Sequence, residues 1–128
     1  MVTAEAIITF VDAIASATSP GKVLLFGSYA NGLPTDDSDV DLLVVKEFRG
    51  RAEPEATRLR IALPEPFAMD LLVRRQSDID RRITWNDFFL RDIMENGLLL
   101  YAANNSRMGE QGRRRLRRRL AATAVAQA

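Results

Sequence analysis

The sequence predicts an α/β (α+β) domain, and three observations carry that prediction. Short apolar runs at 22–26, 40–45, 67–73 and 98–101 have the length and composition of strands. Stretches of helical periodicity alternate with them, clearest at 4–18 and 84–96. Turn residues separate the two kinds of segment: Ser19-Pro20-Gly21, Gly32, Pro34, Pro54, Pro64 and Asn96-Gly97. At 128 residues the chain suffices for one domain with a single core.

In chain order, Ala4, Ile7, Ile8, Val11, Ile14 and Ala15 form an apolar stripe that should pack on the sheet, with Thr3 as N-cap. Ala15-Ser16-Ala17 is reminiscent of a signal-peptide cleavage site, but Glu5 and Asp12 interrupt the apolar stretch and no Lys or Arg precedes Lys22, so it reads as a helix. Lys22–Phe26 is the first strand, Tyr29–Asn31 a short helix closing on Gly32, and Leu33–Ser38 a polar loop. In that loop Asp36-Asp37 reads as a solvated turn. Val40–Val45 is a second strand, apolar on both faces beyond its aspartates, as a central strand should be. A short helix is expected over 55–62 and a third strand over 67–73. Residues 78–82 are mostly charged. Thr84-Trp85-Asn86-Asp87 then starts a helix in capping-box style, and Trp85, Phe88, Phe89, Leu90, Ile93 and Met94 give it a broad apolar face. These aromatics are better explained as core than as a platform for stacking bases. Leu98–Tyr101 is the last strand.

The chemistry concentrates between Val23 and Val45. Asp39 and Asp41 lie two residues apart on a strand, so their side chains share a face about 6.6 Å apart. With no histidine and no cysteine in the chain, such a pair suits a hard divalent cation, Mg²⁺ or Mn²⁺. Gly27-Ser28, where a strand meets a helix, lets the backbone approach a ligand and turns free N–H groups toward an anion such as a phosphate chain. Asp70 is an isolated acid inside an apolar strand, costly to bury unless it is paired or metal-bound. Pairing with Arg58 or Arg60 is the alternative.

Gly27, Ser28, Asp39 and Asp41, as G-S-x10-D-x-D between two apolar runs, resemble the signature of the nucleotidyltransferase superfamily that includes DNA polymerase beta. The string F-L-R-D-I-M-E-N-G-L-L-L-Y is similar to the closing helix and strand of its minimal members, so the resemblance covers 20–101. It implies a small mixed, partly antiparallel sheet with helices packed on one face. It also implies that Asp39, Asp41 and Asp70 hold two Mg²⁺ ions (or Mn²⁺), while Gly27 and Ser28 grip the phosphates of ATP. The subgroup it resembles most consists of antitoxins that transfer AMP to a tyrosine of a cognate HEPN-type toxin. Nucleotidyl transfer to a small molecule such as an aminoglycoside, or neutralisation of the partner by binding alone, are the other functions it allows. Asn31 stands where relatives often have Arg.

Residues 104–128 are expected to follow a 1–103 domain as a flexible basic tail, with Asn104-Asn105-Ser106 and Gly109 to Gly112 as linker and a basic helix over Arg113 to Ala124 as the other reading. Arg113 to Arg119 holds six of the 18 basic residues. Residues 1–112 keep twelve bases against all 17 acids, a net of −5. Contact of the arginines with nucleic acid or an acidic partner is the alternative to a solvated tail. The absence of cysteine excludes a disulfide framework and a thiol nucleophile and is consistent with a cytoplasmic protein. No apolar run approaches the ~18 residues of a membrane span.

Overall fold

The computed structural model describes residues 1–127, with side chains through Thr123. Its elements are α1 (Ala4–Thr18), β1 (Lys22–Phe26), α2 (Gly27–Asn31), β2 (Val40–Val45), α3 (Ala52–Ala62), β3 (Met69–Arg74), α4 (Gln76–Thr84), α5 (Phe88–Asn96), β4 (Leu98–Ala102) and α6 (Ser106–Gln127). The four strands form one mixed sheet in the order β3-β2-β1-β4. β1 runs antiparallel to both β2 and β4, while β2 and β3 are parallel, the α3 crossover returning the chain to the same end.

Local chemistry sets most boundaries. The Thr3 hydroxyl accepts the Ala6 N–H at 3.1 Å to start α1, and Ser19 ends it in the left-handed conformation. Ile7, Ile8, Val11 and Ile14 then pack on Val23, Leu25, Leu42 and Val44, joined by Leu59 of α3, Leu71 and Val73 of β3, and Leu116 of α6. Alternation along the strands sends Leu24, Leu43 and Val45 to the opposite face, against Ile79 of α4 and Leu90 and Ile93 of α5. The fold class is the expected one, but helices cover both faces of the sheet. A sheet with central strands apolar on both sides needs two covers.

Three local expectations are corrected. Residues 76–84 form α4, whose charged run is held by Asp78 accepting from Arg75 and from Arg81; a single buried residue, Ile79, is too faint an apolar stripe to show in the sequence. The cap of the following helix is Asp87 itself, accepting the Leu90 N–H at 3.0 Å, and Thr84 closes α4 instead. Of the aromatics expected in the core, Trp85, Phe88 and Phe89 are 71%, 72% and 50% exposed, because only the Leu90–Ile93 side of α5 reaches the sheet.

The expected flexible tail is the longest helix of the fold. Through Gln127 it is α6, running along β4 with Leu116 fully buried; Ala128 lies outside the described residues. Of the glycines that resemble a linker in sequence, Gly112 is the reason it fits, whereas a side chain at Gly109 would make ordinary contact with β4. A Cβ at Gly112 would lie 1.8 Å from the Leu99 carbonyl oxygen, so a larger residue would hold the helix off the strand.

Candidate active site

The site is built where β1 ends. Phe26 is the last strand residue, and Gly27 turns the chain into α2 with φ +75°, in the left-handed region that favours glycine. The opposing strand adds a second requirement. Asp41 pairs with Phe26 in the antiparallel register, and a Cβ at Gly27 would sit 2.1 Å from Asp41 Oδ2. The bare glycine therefore lets a carboxylate rest against the strand-to-helix turn. α2 is pinned from below: Tyr29 and Ala30 are buried, and the Tyr29 hydroxyl accepts the Val2 N–H at 2.9 Å. Ser28 is left half-buried on the turn.

β3 delivers the other carboxylate. Its parallel pairing sets Asp70 directly beside Asp41, and Val40 N–H donates to the Ala68 carbonyl at 3.0 Å where the two strands begin to pair. Asp41 and Leu43 alternate onto the sheet face covered by α4 and α5, as do Asp70 and Leu72 on β3; Asp39, two residues before Asp41, lies at the strand's open end. Asp41 is half-buried, whereas Asp39 and Asp70 are exposed. Burial, with the Asp70 and Asp39 charges nearby, pushes the Asp41 carboxyl up to about 6.

None of the three forms an ion pair among the described residues. The arginines that could have paired with Asp70 are engaged elsewhere: Arg58 with Glu55, Arg60 with Glu65 and the Leu71 carbonyl. A concentration of negative charge without a counter-ion is the environment a divalent cation relieves, and hard oxygen donors are the set Mg²⁺ or Mn²⁺ takes. Among the described residues no three carboxylates close into a ready-made metal cage. Asp41 and Asp70 are side by side and Asp39 waits at the rim, a donor set that fits a cation shared with a ligand better than a structural ion.

Beside Gly27 a cleft of about 160 Å³ opens between α2 and α5, lined by Phe26, Ala30, Asn31, Phe89, Asp92 and Asn96. The Phe89 ring meets Phe26 edge-on at 5.6 Å. Sequence reasoning missed these α5 residues as site neighbours, since aromatics at helical spacing look like core. A roomier concavity, about 490 Å³ between the N-terminal residues and α6, lies away from the aspartates; Glu5, the carboxylate in its lining, is paired with Arg117.

The profile of the nucleotidyltransferase domain matches residues 6–117. The chain belongs to this family. The matched region contains Gly27, Ser28, Asp39, Asp41 and Asp70 and continues into α6. A protein of Methanocaldococcus jannaschii, described by inference as a protein adenylyltransferase, is 30% identical over 80 residues, 62% of this chain and 77% of the relative. The crystal structure of a Sulfolobus solfataricus protein, also assigned by inference as a nucleotidyltransferase, superposes with a TM-score of 0.59 over 80% of this chain and 83% of that one. At 19% identity that likeness shows the nucleotidyltransferase fold alone.

Proposed function

We propose that this nucleotidyltransferase transfers AMP from ATP to a tyrosine hydroxyl of a cognate HEPN-type protein and so acts as an antitoxin. The observation that carries the transfer chemistry is the uncompensated carboxylate group against the Gly27 turn. The description of the M. jannaschii relative supports a protein as acceptor.

In this reading the β- and γ-phosphates lie on the backbone N–H groups after Gly27 and on the Ser28 hydroxyl, which fixes the α-phosphorus near Asp41. Asp39, Asp41 and Asp70 would hold divalent metal, which when bound offsets the charge of the triphosphate and makes the attacking hydroxyl more acidic. Asp41, pressed between Gly27 and Asp70, orients the nucleotide. Asp70, exposed beside it, faces the incoming acceptor. The tyrosine oxygen attacks the α-phosphorus in line, the bond from that phosphorus to the bridging oxygen breaks, and pyrophosphate leaves while the phenolic proton passes to solvent. Holding the two oxygens in line and offsetting charge supply most of the acceleration.

Asp70→Asn separates binding from chemistry. The phosphate contacts and Asp41 survive, so ATP affinity should change little. AMP transfer should fall by several orders of magnitude, because the phenol, with a free pKa of about 10, loses its activation. Wild type and variant are incubated with Mg²⁺, labelled ATP and the HEPN-type partner, and incorporation is read by intact mass. Equal labelling by both removes Asp70 from the site. A tight complex without labelling by the wild type replaces transfer with neutralisation by binding.

A further inference from the structure

The six arginines between Arg113 and Arg119 in α6 divide into two groups once the helix is seated. Arg113 donates to the Leu100 carbonyl at 2.8 Å and to Asp12 at 2.7 Å, and Arg117 donates to Glu5 at 2.7 Å. Arg119 donates to the Ala30 carbonyl at the end of α2. These three fasten the helix to the domain. Arg114, Arg115 and Arg118 are exposed and, among the described residues, form no hydrogen bond or ion pair. Glu110, the one acid in α6, pairs with none of them.

Spacings of three and four residues put the side chains of 115 and 118, and of 114 and 118, on adjoining turns with their Cβ atoms about 5–6 Å apart. Arg115 and Arg118 line a shallow concavity of about 380 Å³ with Arg119 and Ala122. The backbone beneath them is fixed, because Gly112 meets Leu99 with no room for a side chain. The result is a rigid basic face on a body whose first 112 residues carry a net −5.

We infer that this face binds the phosphodiester backbone of a nucleic acid. Guanidinium forks match phosphate oxygens, and three on adjoining turns can each meet a separate phosphate. The surroundings argue against other polyanions. A protein interface needs an apolar centre of several side chains, but beside these arginines the exposed residues are Gln111, Ala121 and Ala122, with Met108 a single large apolar side chain two turns before Arg115. A membrane-surface helix needs its apolar side free, whereas Leu116 is buried in the core and Leu120 packs against it. Contact is with backbone and not bases, so binding is independent of sequence and steeply dependent on salt.

The full-length protein is titrated into a fluorescein-labelled DNA duplex of mixed sequence and anisotropy is followed across a salt series. The slope of log K against log salt should be about −2.7, from about −0.9 for each of three phosphates. The triple variant Arg114→Gln, Arg115→Gln, Arg118→Gln should bind at least tenfold more weakly at low salt and melt close to the wild-type temperature, since these side chains make no hydrogen bond or ion pair among the described residues. Failure of the wild type to bind at low salt, or equal binding by the triple variant, overturns the inference. Displacement of the duplex by polyglutamate at equal charge overturns it too and assigns the face to an acidic protein segment. ATP-dependent labelling plays no part in these readouts, so they stand apart from the proposed transfer reaction.

Discussion

Replacing Asp41 by asparagine should raise stability at neutral pH while removing nucleotide binding. The cause is the crowding that defines the site: burial, Asp70 and Asp39 push the Asp41 carboxyl from 3.8 to about 6. Below 3.8 the group is protonated in both folded and unfolded chains, and it costs nothing. As pH rises from there to about 6 the unfolded chain releases its proton first, so stability falls through this window and then levels off. The full displacement corresponds to a ceiling of about 3 kcal/mol. Asp41 keeps contact with solvent, which screens its neighbours, and about 1 kcal/mol is the realistic penalty. Asparagine retains the shape that fits against Gly27 and lacks the charge. In a domain of this size the gain should appear as a melting temperature about 3–5 °C above wild type at pH 7–8, shrinking to nothing near pH 4. Thermal melts of both proteins from pH 4 to 8 without divalent metal test this, and added Mg²⁺-ATP should raise only the wild type. A variant that melts at or below wild type at pH 8, or gains equally at pH 4, would refute the electrostatic reasoning.

Gly27→Ala should cost both stability and ATP affinity, since the new methyl meets Asp41 Oδ2 at 2.1 Å in a backbone with φ +75°. Denaturant unfolding should show a loss of about 2 kcal/mol or more, from left-handed backbone and steric overlap together; an unchanged midpoint would mean the turn is not held as described. Leu116→Ala should destabilise the domain by about 3 kcal/mol, the usual cost of emptying a fully buried leucine site. A loose tail would leave the midpoint where it was.

The sequence alone determined what depends on near neighbours. β1 and β2 lie where their apolar runs put them, Thr3 caps α1 as its position suggests, and Gly27 sits at a strand-to-helix turn. The period of two in a strand puts Asp41 on the same face as Leu43, whatever surrounds it, while Asp39 lies one residue before β2 begins. Tertiary structure decided the rest. Asp70 was visible as an acid in an apolar strand, but only the parallel register given by the α3 crossover places it against Asp41, and no spacing of 29 residues encodes that. The aromatics of α5 repeat at helical spacing, yet which side of that helix meets the sheet depends on where α4 delivers the chain. Gly112 carries opposite meanings in the two readings: in sequence it weakens a helix, and in the fold it lets α6 lie against β4, a gain that exists only once the strand is there to be touched.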